Sequence, residues 1–245
     1  MKTGTFNAIV IVLALIVGWV IFEYMLPTFI KEGGYLVISL IALVIMLIAV
    51  AIERLLTLKK ANGKGNLSVF LKNVQQAVNV GDIETALAAC NKQRGSCANV
   101  IRTGLEKYKT VVEEGDIKGQ KELMESIQRA IEEATMLEVP MLERNLSMMS
   151  TIASIGTMVG LLGTVIGMIR SFQAMSRAGA PDAVQLALGI SEALINTAGG
   201  LVAGIGGIIA YNFFVTKIDN FTYMIDEASY SIVQSLASRK PSKSR

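Results

Sequence analysis

Histidine is absent from this 245-residue chain, which removes histidine-based metal sites and histidine acid–base chemistry. Cysteine occurs only at positions 90 and 97. Cys90 and Cys97 lie in a polar stretch and read either as a redox pair or, more simply, as free reduced thiols. Charge is scarce, at 18% of residues, and the formal net charge of +3 is too small to argue for nucleic acid. No basic–aromatic motif supports one either. The chain shows no nucleotide loop, nucleophile elbow or metal-ligand spacing. No enzyme and no bound cofactor are therefore expected.

Apolar residues are abundant instead. They make up 52% of the chain, and the mean hydropathy of +0.50 suits a membrane protein. Phe6–Phe22 is the first apolar run. It reads as a retained span rather than a signal peptide, because no A-x-A-like exit follows it. Trp19 and Tyr24 are then expected at the far interface. Pro27 and Gly33-Gly34 break a short linker, and Tyr35–Ile52 forms a second span. Arg54, Lys59, Lys60 and Lys64 follow, and positive residues flanking a span mark its cytoplasmic side.

Residues 53–145 are polar, with 14 Lys/Arg against 13 Asp/Glu. Helix breaks are expected at Gly63–Asn66, Gly81-Asp82, Gly95-Ser96 and Gly115-Asp116, with Asp82 and Ser96 as N-caps. Leu123, Ile127, Ile131 and Ala134 recur at helical spacing. Glu132, Glu133, Glu138 and Glu143 read as a solvated face rather than a cation site. Pro140 is placed to kink its helix.

The third span is Asn145–Ile169. Ser150, Thr157, Thr164 and Ser171 recur every seven residues as a hydroxyl stripe, for which bonding to the preceding turn is the simplest account. Gly156, Gly160, Gly163 and Gly167 form a neighbouring face, as expected for close helix contact in lipid. A turn over Ser176–Asp182 leads into a fourth apolar run that starts at Ala183 and is longer than a bilayer needs. Ile218, Phe221, Ile225, Ala228, Ile232 and Leu236 continue its spacing beyond the membrane. This run carries one acid, Glu192. An ionisable residue in a span costs roughly 2.5–3.5 kcal/mol on insertion scales, and it normally faces a bundle interior or a water-filled path. Gln185, Glu192, Asn196, Gly199, Ala203 and Gly206 share one helical face at 100° per residue. Gly200 adds to the small residues around it.

GLLGTVIGMIRSF (160–172) and ISEALINTAGGLVAGIGGIIAYN (190–212) resemble the signature hairpin of the MotA/TolQ/ExbB proton-channel proteins. The Ile-Ser-Glu-Ala-Leu run is most similar to the ExbB and TolQ branch. The resemblance is strong over residues 150–212 and one of layout upstream. It implies a bacterial inner-membrane ring, pentameric in this family, around helices of a single-span ExbD/TolR-type partner, with a TonB- or TolA-type protein receiving the work. By position the pore acid falls on Glu192 and two pore threonines on Thr164 and Thr197. Asn196 and Thr157 become candidate pore or helix contacts. Thr197 lies about 140° round the helix from Glu192, so the small face is broad or one residue serves a helix contact. Thr157 and Ile205-Gly206 stand where relatives often carry proline. The amino-terminal span is additional to the three usual on the ExbB branch.

The expected architecture is all-α, a polytopic membrane bundle whose long helices extend into the cytoplasm and assemble as a ring. Its expected parts are an extra span and periplasmic linker (1–34), a transmembrane helix (35–56), a cytoplasmic helical region (57–144), the transmembrane hairpin (145–216) and a cytoplasmic helix with a basic tail (217–245). Both termini are expected inside. The function the resemblance implies is an ExbB-like, ring-forming proton-channel subunit that drives TonB-dependent outer-membrane transport. A TolQ-like envelope-maintenance subunit, a flagellar-stator-like subunit and a non-conducting scaffold are the competing readings.

Overall fold

The computed structural model of the chain describes residues 3–114, 119–176 and 182–238. The expected break at Gly115-Asp116, most of the 176–182 turn and most of the basic tail lie outside the described residues. Among the described residues the chain is helical and without strands. The helices are α1 (Thr3–Tyr24), α2 (Thr28–Lys31), α3 (Leu36–Ala61), α4 (Leu67–Val80), α5 (Ile83–Gln93), α6 (Ser96–Glu114), α7 (Gln120–Glu143), α8 (Leu146–Met175) and α9 (Ala183–Ala237). Three helical stretches, Leu36–Ala61, Gln120–Met175 and Ala183–Ala237, are long and apolar enough to cross a membrane, and Val10–Tyr24 is a shorter apolar helix. The four-residue α2 interrupts the linker, with Pro27 directly ahead of its first residue.

The chain divides into two compact units, residues 1–54 with 145–214, and residues 55–144 with 215–245. In the first, α8 and α9 run antiparallel with their backbones in near contact. A Cβ built on Gly156 would lie 2.8 Å from the Ala203 Cβ, one on Gly160 2.9 Å from the Gly200 Cα, and one on Gly163 2.2 Å from the Asn196 Cβ. One on Gly167 would lie 2.5 Å from the Gly189 carbonyl. Glycine is required along this seam by size. The buried face of α9 is Gly189, Glu192, Ala193, Asn196, Gly200, Ala203, Gly204 and Gly207. That differs from the stripe drawn at 100° per residue: Gly199 and Gly206 turn toward α3, against Leu40 and Leu47, and Gln185 is exposed. Small residues line two sides of α9 because it packs against two helices, which one straight stripe cannot represent.

At the end of this unit Arg54 is 1% exposed. Its guanidinium donates to the Glu53 carboxylate at 2.5 and 2.7 Å, and Asn145 Nδ2 donates to the same carboxylate at 3.3 Å. Arg54 is thus a buried, paired cation, while Lys59, Lys60 and Lys64 are exposed. Asn145 breaks the α7–α8 run with φ 67, while α7 continues through Pro140 to Glu143.

The second unit packs by large side chains. Val74, Val78, Ile101, Leu105, Ile127, Ile218, Ile225 and Leu236 are buried, each worth about 1.5–3 kcal/mol of transfer free energy. Gly81 ends α4 at φ 92. The Asp82 carboxylate then caps α5 by accepting from Thr85 N at 2.9 Å and from its hydroxyl at 2.6 Å. Those hydrogen bonds, the side-chain one foremost, hold the Asp82 carboxyl below its usual range. Ser96 is not a cap. It is the buried first residue of α6, and Gly95 O accepts the first helical bond, from Asn99 N at 3.0 Å. Glu138 accepts from Asn99 Nδ2 at 2.9 Å, joining α6 to α7. The acids of α7 form no metal-binding group among the described residues.

Candidate functional site

The acid expected in the fourth apolar run is buried, Glu192 being 6% exposed. It is the tenth residue of α9, about 14 Å along the axis from the helix start, and its carboxylate lies level with the segment that leads into α3. A Cβ on Gly34, which has φ +71, would lie 3.0 Å from Glu192 Oε1. The acid therefore sits near one end of the apolar helices instead of at their midpoint. Two neighbours on α9 fasten the same segment. Asn196 Nδ2 donates to Gly33 O at 2.7 Å and to Glu192 O at 2.9 Å, and Ser191 Oγ donates to Glu32 Oε2 at 2.8 Å.

The partner of the carboxylate is Arg170 of α8. Its Nη1 donates to Glu192 Oε1 at 2.6 Å and to Oε2 at 2.5 Å. Sequence reasoning missed Arg170, although it lies inside the motif run 160–172. The available signal was its spacing: it follows Gly163 and Gly167 by seven and three residues and so borders the glycine face.

Thr164 and Thr197 meet each other. Their hydroxyl oxygens are 2.7 Å apart across the α8–α9 seam. Each can also donate to its own helix, Thr164 to Gly160 O at 3.2 Å and Thr197 to Ala193 O at 3.1 Å. The angular conflict between Glu192 and Thr197 resolves because both reach α8, in successive layers: Glu192 with Arg170, Thr197 with Thr164. Five residues of helix rise separate the two α9 side chains, about 7.5 Å along the axis.

The remaining candidates sort by contact. Thr157 bonds Ala153 O of its own helix at 3.1 Å, is itself exposed, and its hydroxyl would meet a Cβ on Gly204 at 2.4 Å. Ser171 bonds Gly167 O at 3.0 Å and, across the seam, Leu186 O at 3.2 Å. Asn196 is fully buried, and its Oδ1 has no hydrogen-bond partner among the described residues, so an unused acceptor lies one turn from the acid. Gly156, Gly160, Gly163, Gly167, Gly200 and Ala203 all lie on the α8–α9 seam, while Gly199 packs on Leu40 of α3.

The site is thus a buried acid with one cationic partner, above a pair of bonded hydroxyls, in a seam of near backbone contact. Such a constellation can carry a charge or a proton in an apolar helix pair. It offers no convergent nucleophile and base.

A family model described as the MotA/TolQ/ExbB proton channel family matches residues 92–227. The Tol-Pal system protein TolQ of Pseudomonas aeruginosa is 30% identical over 118 residues, covering 48% of this chain and 51% of that protein. The putative biopolymer transport protein ExbB-like 3 of Synechocystis is 41% identical over 87 residues, 35% of this chain and 41% of that protein. The biopolymer transport protein ExbB of Pseudomonas putida is 32% identical over 94 residues, 37% and 29% of the respective chains. The chain spans about half or less of the length of these relatives.

Proposed function

The chain belongs to the MotA/TolQ/ExbB proton channel family, and from that premise we propose that it is the ring-forming, proton-conducting subunit of an inner-membrane motor. On this reading several copies, five by resemblance, surround the helices of a single-span ExbD/TolR-type partner. Proton-motive force is passed to a TonB-type protein to energise outer-membrane transport. The chain itself acts as a channel subunit and not as an enzyme. Residues 57–144 and both termini lie in the cytoplasm, in keeping with exposed Lys59, Lys60 and Lys64 at the end of an apolar helix. The cytoplasmic helices extend the ring as a vestibule.

The observation that carries the proposal is Glu192: an acid 6% exposed in a long apolar helix, one layer from the Thr164–Thr197 pair. Glu192 supplies the titratable group, and the two threonines supply a polar step within the seam. A second reading has support of its own, since TolQ and ExbB relatives match at comparable identity. In it the same proton chemistry drives a TolA-type protein for envelope maintenance.

The test is Glu192→Gln, which keeps the shape and removes the titratable group, read as coupled work beside the yield of complex with the co-purifying single-span protein. Because Arg170 is 58% exposed, the substitution strands no buried cation, and yield is expected to hold. Coupled work is expected to be lost, with Glu192→Asp retaining part. Full work at normal yield would leave a non-conducting scaffold as the reading.

A further inference from the structure

The Glu192 carboxylate is closed on every side but one. Its own helix, α8 and the Glu32–Gly34 segment surround it, the last held by the Asn196–Gly33 and Ser191–Glu32 hydrogen bonds. On the remaining side stands Arg170, and the two partners differ sharply in exposure: the Glu192 side chain is 8% exposed, the Arg170 side chain 58%. The guanidinium therefore spans from outside the helix pair to the buried acid. Two other charged groups on the neighbouring segment have partners of their own. Glu32 accepts from Ser191, and Lys31 Nζ donates to Glu23 O at 2.6 Å.

We propose that Arg170 is the displaceable counter-ion of Glu192, a positioning residue that a proton must unseat to reach the acid. This rests on the reading that Glu192 takes up protons. With Glu192 ionised the pair is neutral, and two short hydrogen bonds from Arg170 satisfy the carboxylate. When a proton adds to one carboxylate oxygen, the guanidinium keeps its own protons and swings outward into the space it already half occupies. The pair then carries one net positive charge. Loss of the proton from Glu192 lets Arg170 return and restores neutrality. An arginine suits this role because it stays charged throughout. A buried carboxylate left without a partner is costly, which confines its ionised form to the paired arrangement.

The test reads the pair directly on the assembled complex in detergent. Dicyclohexylcarbodiimide reacts with protonated carboxyl groups in apolar surroundings, and the Glu192 adduct is followed by mass spectrometry across pH. Arg170→Gln is expected to label several-fold faster than wild type at pH 7, because no guanidinium then occupies both carboxylate oxygens. Arg170→Lys is expected to label near the wild-type rate. Should Arg170→Gln fail to assemble, the reciprocal measurement decides: phenylglyoxal should modify Arg170 faster in Glu192→Gln than in wild type. Equal carbodiimide labelling in Arg170→Gln and wild type, or equal phenylglyoxal labelling with and without the acid, overturns the proposal. Failure of the channel reading shows itself elsewhere, as full coupled work in Glu192→Gln, and leaves these labelling rates unaffected.

Discussion

The two units of the molecule are both helical, yet they are held together by opposite means. In residues 1–54 with 145–214 the seam is glycine and alanine: a Cβ on Gly163 would overlap Asn196 at 2.2 Å. Large residues such as Leu161, Val165, Ile205 and Ile209 point outward. In residues 55–144 with 215–245 the order is inverted, with Val74, Ile101, Leu105 and Ile127 inside. Charged pairs such as Lys109 with Glu84 lie on the outside of that unit. Water drives the second arrangement by expelling apolar area. Lipid exerts no such drive between helices, so close backbone approach and interhelical hydrogen bonds take over. The first unit holds its polar chemistry in the seam because only there are Glu192 and the threonines shielded from lipid.

The hardest test of this contrast is to put bulk where the first unit has none. Gly163→Val is expected to abolish recoverable complex, since its neighbour is a fully buried Asn196 side chain, and overpacking typically costs about 1–3 kcal/mol or more. Gly199→Ala, whose nearest neighbour is the movable end of Leu40 at 3.0 Å, is expected to assemble normally. Complex yield by size-exclusion chromatography checks both; equal behaviour would remove the distinction between the two glycine sides.

In the second unit the opposite change does the damage. Ile127→Ala deletes a side chain with 0% exposure and should destabilise by about 2–5 kcal/mol. A lowered thermal midpoint of the purified protein would show it, while an unchanged one would mean that the second unit does not depend on large buried residues. Thr164→Val is subtler. It keeps volume and removes one cross-seam hydrogen bond, worth about 0.5–1.5 kcal/mol, so yield should hardly change while coupled work falls. Full work would exclude Thr164 from the path.

The smallest effect is expected from the thiols. Cys90 and Cys97 are free and buried, and burial pushes both thiols up to about 12. Cys90→Ser and Cys97→Ser should leave coupled work near normal. Maleimide labelling of the folded protein should be slow at pH 7. Because the folded thiols ionise later than the unfolded ones, their contribution to stability is intact below about pH 9 and falls between there and about pH 12. Rapid labelling at neutral pH would reopen the redox reading.

Much of this division is visible in the residue pattern. The apolar runs mark α1, α3, α8 and α9, and the Gly81-Asp82 and Gly95-Ser96 breaks separate α4 to α6. The Gly-x-x-x-Gly spacings of α8 point to a tight seam, and one acid in an apolar run is conspicuous. What a helical wheel omits is the number of partners. It set Gly199 with Glu192 because it allows each helix one packed face, whereas α9 meets both α3 and α8. The sequence likewise did not show that Arg54 is buried, since its pairing with Glu53 and the approach of Asn145 from another part of the chain depend on tertiary packing. Arg170 was hidden for the same reason. A single arginine near the end of an apolar run reads as an interfacial residue until the opposite helix brings a carboxylate to 2.5 Å.

The central claim is that Glu192 carries protons beside the tight glycine seam of α8 and α9. Its most direct test is proton flux, under an imposed membrane potential, into vesicles that contain the chain together with the single-span protein proposed to co-purify with it. Wild type is predicted to acidify the lumen, Glu192→Asp to retain part of that flux, and Glu192→Gln to show none above protein-free vesicles. Flux through Glu192→Gln equal to wild type, at equal protein content, would contradict the account.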